Sequence, residues 1–90
     1  MYSVGFKARA REDLEKLKKT EPKAFKKVLG LLDEIAEHPR FGTGHPEPLR
    51  GEKTGAWSRR ITQKHRLVYE IHDTEVIVLV LTAYGHYDDK

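Results

Sequence analysis

One carboxylate and a group of cationic residues lie close together near the middle of the chain. Glu47 stands between Pro46 and Pro48, and residues 45–66 contain six Lys and Arg residues but only two Glu residues. The formal charge of this stretch is therefore +4, against +3 for all 90 residues. Cations gathered around a carboxylate predict a ligand that carries phosphate, and a fixed carboxylate could also do acid–base chemistry on that ligand.

The segment that carries Glu47 is rich in residues that shape loops. Three of the four prolines lie between residues 39 and 48, and glycines occur at positions 42, 44, 51 and 55. A connection as long as residues 40–55 is usually either functional or disordered. The paired prolines argue against disorder, because each fixes its own φ and favours an extended residue before it. We therefore expect an irregular, functional loop that holds Glu47 in place.

Two arginines could point towards this carboxylate from a sheet. Side chains alternate between two faces in the strand predicted at residues 57–62. The face with the apolar bulk should meet the helices, with Arg59 reaching out at the sheet margin. Arg60 lies on the other face, which is polar and should be open, and Arg66 begins the next strand across a short turn. This arrangement predicts Arg60 and Arg66 as ligand-binding residues, with a surface salt bridge as the alternative for either.

His86 and Tyr87 follow the last predicted strand, and an imidazole there could donate or accept a proton near neutral pH. A packed or solvated pair is the structural alternative. The other histidines are uninformative, since His38 ends a helix, His65 lies in a turn and His72 ends a strand. No two histidines have a metal-ligand spacing such as H-x-x-x-H, and the chain lacks cysteine and a glycine-rich phosphate loop. We expect neither a metal nor another cofactor.

The elements that must position these residues can be predicted from periodicity. Alternation predicts a strand at residues 2–6, and helical spacing predicts helices at about 8–19 and 22–38. Thr20 is a candidate N-cap for the second helix, and Pro22 suits its first turn. The predicted buried stripe of that helix comprises Phe25, Val28, Leu29, Leu32, Ile35 and Ala36.

Three further strands are predicted at residues 57–62, 66–72 and 75–84, and their short connections require antiparallel neighbours. The continuous apolar run of the last strand places it in the sheet interior, covered on both faces. The order β-α-α-β-β-β predicts a single α+β domain over residues 1–90. In it, an antiparallel sheet, made of this meander and the N-terminal strand, packs against an N-terminal helical hairpin.

Composition narrows the class of protein and its partners. The longest apolar run is far shorter than the roughly 18–20 residues needed to span a membrane, and the amino terminus lacks the apolar region of a signal peptide. We therefore expect a cytoplasmic protein without a membrane partner. A pI near 9.2 favours a polyanionic partner. Lysines around the turn between the helices form either a solvated surface or a second polyanion contact; they are Lys18, Lys19, Lys23, Lys26 and Lys27.

The motifs taken together resemble the YoeB (Txe) family, RelE/ParE-superfamily toxins of bacterial type II toxin–antitoxin systems. They are Pro46-Glu47-Pro48-Leu49-Arg50, Gly55-Ala56-Trp57-Ser58-Arg59-Arg60-Ile61-Thr62, His65-Arg66-Leu67-Val68-Tyr69 and Gly85-His86-Tyr87. The resemblance implies a RelE-like fold and a ribosome-dependent endonuclease that cleaves mRNA in the A site of the 70S ribosome. It also implies silencing by a YefM/Axe-like antitoxin and contact with operator DNA only through the antitoxin complex, and it leaves a homodimer open.

The resemblance also assigns residues by motif. Glu47, Arg66, His86 and Tyr87 match the catalytic positions of the family, while Arg50 and Arg60 match basic positions that hold substrate phosphates. Lys53 and Arg59 complete the predicted substrate-binding set. In metal-free RNA cleavage, we expect Glu47 to act as the base. Arg66 and Arg60 would stabilise the phosphorane, His86 would act as the acid, and Tyr87 would stack on or orient a nucleobase.

Two local features depart from close relatives, in which the His-Tyr pair lies at or near the end of the chain. Here Asp88, Asp89 and Lys90 follow it, and Gly85 precedes it. The two carboxylates of this tail either raise the pKa of the neighbouring His86, repel RNA, or belong to a solvated, frayed end. Two other functions stay open: a ParE-like gyrase poison, against which Glu47 and His86 argue, and an inactive co-repressor that binds only its antitoxin and operator DNA.

Overall fold

Two helices and a five-stranded sheet make up the computed structural model, which describes residues 1–49 and 55–85. The predicted α+β class is confirmed. The elements are β1 (Ser3–Phe6), α1 (Ala8–Thr20), α2 (Pro22–Glu37), β2 (Glu47–Pro48), β3 (Ala56–Arg60), β4 (Arg66–His72) and β5 (Ile77–Thr82). No helix in these described ranges is long and apolar enough to cross a membrane.

The sheet is mixed, so the prediction of a wholly antiparallel sheet is wrong for one pair. Its strand order is β1-β5-β4-β3-β2. The predicted β3-β4-β5 meander is confirmed as antiparallel, but β1 runs parallel to β5, with Ser3 opposite Ile77. Tight turns fix the direction of the meander strands. No such turn joins β1 to β5, and the sequence pattern of β1 alone carries no information on its direction.

The helical hairpin is confirmed, but its junction differs from the prediction. Pro22 occupies the first turn of α2, as expected from its fixed φ and missing N–H. Thr20 does not cap α2, because it still belongs to α1 and its hydroxyl donates to the carbonyl of Lys16 (2.8 Å). Glu21 alone links the helices, with its N–H donating to the carbonyl of Leu17 and its carbonyl accepting from the N–H of Phe25.

The core lies between the helical hairpin and one face of the sheet. On α2 the buried side chains are Ala24, Val28, Leu31 and Ile35, so the predicted stripe is wrong at Leu29, which is 48% exposed. The interior position of β5 is confirmed. Its coverage is less complete than predicted: Val78 and Val80 are fully buried, whereas Leu79 and Leu81 on the other face are only half-buried.

Two loop boundaries also differ from the sequence prediction. Within the connection expected to be irregular, β2 forms a two-residue edge strand against β3, an edge being where proline is tolerated in a sheet. The connection between β4 and β5 covers residues 73–76, with Val76 at a positive φ of 57°. The last strand is therefore shorter than the predicted 75–84.

Candidate active site

Glu47 and Arg66 are brought together by the pairing of three strands. In the register, Glu47 of β2 lies opposite Ser58 of β3, and Arg60 of β3 lies opposite Arg66 of β4. Arg66 Nη1 is 3.9 Å from Glu47 Oε1, and the two side chains are 24% and 61% exposed. An exposed, loose ion pair of this kind contributes only about 0–1 kcal/mol. A polyanionic ligand could therefore exchange with it at little cost.

Arg60 and Arg66 share a face of the sheet, as predicted. They are direct cross-strand partners, and Arg60 is exposed. Like charges opposite one another in a sheet are destabilising. An anion bound between or above the two guanidinium groups would reduce that repulsion, so the pair could hold a phosphate.

The face that carries these arginines is not open along its whole length. Ser58 and Val68, which are opposite one another in the register, are each only 1% exposed. The expectation of an open polar face is therefore wrong at Ser58 and holds at Arg60. Ser58 Oγ has no hydrogen-bond partner among residues 1–49 and 55–85, although it lies opposite Glu47.

Arg59 is a buried structural residue, so its predicted place at the sheet margin and in the substrate-binding set is wrong. Its side chain is fully buried. Its guanidinium donates to Tyr69 Oη and Glu34 Oε1, at 3.1 and 2.9 Å. Further donations reach the backbone carbonyls of His38, Phe41 and Thr43. The alternation correctly places Arg59 on the helix-facing side. There its guanidinium donors are all bonded within the fold, so none is available to a ligand.

The loop before Glu47 is fixed by the same network. Glu34 accepts from the backbone N–H and the hydroxyl of Thr43, at 2.8 and 2.6 Å. These bonds, together with Arg59, hold the pKa of Glu34 below its usual value. Gly44 then accepts a 2.7 Å bond from the N–H of Arg60. Hydrogen bonds therefore hold the loop between the end of α2 and β2, the strand that contains Glu47.

Tyr69 completes the support beneath the loop. Burial raises the pKa of its hydroxyl, which therefore stays protonated and donates to the carbonyl of Pro39 (2.7 Å) while it accepts from Arg59. The pairing of a buried arginine with a buried tyrosine could not be predicted from alternation alone, since both lie at positions that are typical of an ordinary core.

His65 is expected from the sequence to be an uninformative turn residue, but its side chain is buried and fully bonded. It is 3% exposed, its Nε2 lies 2.6 Å from Glu21 Oε2, and its Nδ1 accepts a 2.8 Å bond from the N–H of Gly85. The ring also packs against Tyr84, with 4.3 Å between centroids. These partners are distant in sequence, and no local pattern points to them.

Asp13 is a second buried polar residue that the sequence patterns above do not single out. It is 7% exposed, and its Oδ2 accepts a 2.9 Å bond from the N–H of Ala83, just beyond β5. A signal was available here. Asp13 lies three residues after Ala10 and four before Leu17, on the buried face of α1, where a carboxylate needs a specific partner.

Four of the predicted site residues lie outside the described residues. They are Arg50, Lys53, His86 and Tyr87. The structure therefore describes the chain only as far as Tyr84 and Gly85, before the predicted catalytic residues His86 and Tyr87.

Comparison with known proteins decides the family. A model of the YoeB-like toxin of bacterial type II toxin–antitoxin systems matches residues 6–87, nearly the whole chain. The chain is a YoeB-family toxin. Toxin YoeB from Mycobacterium bovis is 44% identical over 79 residues, which cover 88% of this chain and 93% of the relative.

Solved structures agree with the assignment. The YoeB dimer from Staphylococcus aureus superimposes with a TM-score of 0.85 at 32% identity, covering 96% of this YoeB-family chain and 98% of the other. The heterotetrameric YoeB–YefM toxin–antitoxin complex from the same organism gives a TM-score of 0.82 at 33% identity, with 97% and 99% coverage. The predicted family and the RelE-type toxin fold are thereby confirmed.

Proposed function

We propose that this YoeB-family toxin is a ribosome-dependent endoribonuclease that cleaves mRNA in the ribosomal A site and so inhibits translation. The observation that carries the proposal is the approach of Glu47 Oε1 to Arg66 Nη1 at 3.9 Å, with Arg60 directly across the strand from Arg66. A carboxylate base beside two cations is the combination that attack on a phosphodiester needs.

The proposed reaction is a transfer within the RNA backbone. Glu47 removes the proton of a ribose 2′-hydroxyl, and the resulting oxygen attacks the adjacent phosphorus. Arg66 and Arg60 stabilise the charge of the phosphorane, and His86 protonates the departing 5′-oxygen. The products are a 2′,3′-cyclic phosphate and a 5′-hydroxyl. Positioned proton transfer accelerates such reactions by about 10²–10⁴-fold, and charge stabilisation often accelerates them more.

The remaining predicted residues are proposed to hold the substrate. Arg50 and Lys53 would contact phosphates, and Tyr87 would stack on or orient a nucleobase, an interaction that contributes about 1–3 kcal/mol per base. Arg59 is left out of this set because its donors are satisfied within the fold.

The proposed partners are mRNA on the 70S ribosome and an antitoxin of the YefM/Axe kind. The antitoxin is supported by the complex of S. aureus YoeB with YefM, and a homodimer by the S. aureus YoeB dimer. Operator DNA would be contacted only through the antitoxin complex. A toxin that acts on ribosomes would work in the cytoplasm.

The test is to incubate the purified toxin, free of antitoxin, with a defined mRNA in the presence and absence of programmed 70S ribosomes, and to map the new ends. We expect ends at A-site codons, with ribosomes only. Cleavage of the mRNA in the reaction without ribosomes would contradict the ribosome dependence. Intact mRNA in both reactions would favour the alternative, a non-catalytic protein that acts as a gyrase poison or as an antitoxin-bound co-repressor.

A further inference from the structure

Residues 83–85, which follow β5, are held by contacts with α1 and with the residues around the start of β4. Ala83 donates its N–H to Asp13 of α1 (2.9 Å), and Gly85 donates its N–H to His65 Nδ1 (2.8 Å). The carbonyl of Gly85 accepts a 3.0 Å bond from the N–H of Arg66. The N–H of Gly85 is therefore bonded to His65, the last residue before β4, and its carbonyl to Arg66, the first residue of β4.

His65 is itself rigidly placed. Its N–H donates to the hydroxyl of Thr62 (3.1 Å), and its carbonyl accepts from the N–H groups of Ile61 and Thr62. These bonds close the turn between β3 and β4. On the other side, the ring lies against Tyr84. A side chain held by its own backbone, by a ring contact and by hydrogen bonds at both nitrogens has one available orientation.

The hydrogen bonds also fix the tautomer of His65. The backbone N–H of Gly85 can only donate, so Nδ1 must be the unprotonated acceptor. The ring proton therefore lies on Nε2, where it is donated to Glu21 Oε2 at 2.6 Å. Functional imidazoles are commonly held in this way, with a carboxylate that fixes the proton on one nitrogen so that the other is free to act. Here Glu21 is in turn fixed by its backbone bonds at the helix junction.

We propose that His65, oriented by Glu21, is a positioning residue for the ribonuclease reaction: it fixes Gly85 and thereby the point from which the next residue, His86, begins. The inference rests on the proposed function. The dipeptide His65-Arg66 then links the two ends of the reaction. Its first residue holds the backbone that leads to the proposed acid, and the second lies against the proposed base, Glu47.

Gly85 is suited to this role because it has a φ of +79°, a conformation that other residues adopt only under strain. The backbone of Gly85 therefore has a defined conformation, and a change in its bonds would shift the point from which His86 begins. Misplacement of a reacting group by about 1 Å can cost roughly 100-fold in rate.

Two substitutions at His65 separate its two hydrogen bonds. In His65→Asn the amide oxygen can take the place of Nδ1 and accept from Gly85, whereas in His65→Gln the amide reaches the position of Nε2 and contacts Glu21 instead. Single-turnover cleavage is measured on programmed ribosomes over a range of ribosome concentrations. We expect His65→Gln to lower the maximal rate about 10–100-fold with an unchanged half-saturating concentration. His65→Asn should stay within about threefold of the wild type.

The controls separate positioning from folding. His72→Gln removes a histidine of β4 that also contacts a glutamate, Glu70. His72 is exposed and far from Gly85 in the sheet register, so this variant should cleave at the wild-type rate. If the His65 variants unfold, Glu21→Ala and Glu21→Gln test the same link from its other end. Without the carboxylate the ring proton of His65 can move to Nδ1, which then no longer accepts from Gly85, whereas an asparagine oxygen at position 65 has no such proton to gain. Glu21→Ala should therefore lower the maximal rate, and Glu21→Gln, which keeps an acceptor for Nε2, should restore it. Full activity of folded His65→Gln, or of folded Glu21→Ala, would overturn the proposal.

A second readout does not depend on cleavage. The ¹⁵N resonances of the His65 ring should show a proton on Nε2 only, and the amide of Gly85 should be protected from exchange in the wild type and in His65→Asn but not in His65→Gln. If the wild type shows this pattern yet leaves mRNA intact, the proposed function fails while the anchor on Gly85 stands. If the wild type cleaves but Gly85 is unprotected, the positioning role fails alone.

Discussion

Arg59 and Arg60 are adjacent in the chain and have opposite tasks. Arg59 points to the helix side, where every donor finds an acceptor in Glu34, Tyr69 or the 38–43 loop. Arg60 points to the other side, where it is exposed beside Arg66. A one-residue step along a strand reverses the face of a side chain, so the same residue type serves the fold at one position and is available to a ligand at the next.

Arg59→Lys should destabilise the protein strongly. Lysine keeps the charge but cannot reproduce a planar fork that serves five acceptors, so buried carbonyls and Tyr69 would lose their donors. Breaking such a buried ionic network costs about 3–5 kcal/mol. The free energy of unfolding in urea measures the loss, with Arg60→Lys as the matched control at under about 0.5 kcal/mol. Similar values for the two variants would contradict the structural role of Arg59.

At the scale of elements, the loop between α2 and β2 positions the strand that carries Glu47. Its carbonyls are held from beneath by Arg59, its middle by Glu34, and its end by the bond from Arg60 to Gly44. It then enters β2, whose two residues fix the register of Glu47. The structure shows the backbone of Glu47 held in β2, while the predicted role of the loop in function stays a prediction. The contacts that support the loop could not be predicted, because none of them is local in sequence.

Gly44→Ala tests whether the loop needs this close approach. Gly44 has a φ of +90°, and a Cβ there would lie 3.0 Å from the carbonyl oxygen of Arg60. We expect a loss of about 1–3 kcal/mol in the free energy of unfolding, from strain and from the displaced bond to Arg60. Gly30→Ala is the control, since Gly30 is exposed within α2 with open space around its Cβ position. That change should stabilise the helix by about 0.5–1 kcal/mol. A Gly44→Ala variant as stable as the wild type would contradict the need for a close approach between the loop and Arg60.

What could be predicted from the sequence depends on the range of the physical signal. The helices, the meander and the shared face of Arg60 and Arg66 depend on periodicity and short turns, which are local. The direction of β1, the acceptor set of Arg59 and the bonds of His65 depend on contacts between residues far apart in the chain. Asp13 lies between these cases, since its place on an apolar helix face was visible but its partner, Ala83, was not.

At the scale of the whole molecule, carboxylates tie the helices and loops to the sheet, and this gives the fold a dependence on pH. The pKa of Glu34 is lowered by its bonds to Thr43 and Arg59, and the pKa of Asp73 is lowered by Arg40 and Tyr2. A carboxylate whose pKa is lower in the folded state stabilises the protein fully at pH values above its unfolded-state pKa. This contribution is lost as the pH falls from there through the folded-state pKa.

We therefore expect the difference in free energy of unfolding between the wild type and Glu34→Gln to be largest near neutral pH. It should shrink as the pH falls below the usual value of 4.5 for this carboxyl. Urea unfolding between neutral and acidic pH measures it. Glu37→Gln, which changes a carboxylate at the end of the same helix, is the matched control and should change the free energy of unfolding near neutral pH by less than about 0.5 kcal/mol. A pH-independent effect of Glu34→Gln would contradict the assigned role of its charge.

Glu47 and Arg66, brought together by β2, β3 and β4, are proposed to act on a phosphodiester, and this is the step on which the function depends. The test compares mRNA cleavage on programmed ribosomes by the wild type and by Arg66→Ala. The control is Arg40→Ala, which removes an equal charge from a surface ion pair with Asp73. We predict that Arg66→Ala remains folded but loses cleavage by at least about 100-fold, while Arg40→Ala cleaves like the wild type and leaves a 2′,3′-cyclic phosphate. A folded Arg66→Ala variant with wild-type cleavage would contradict this role for the pair.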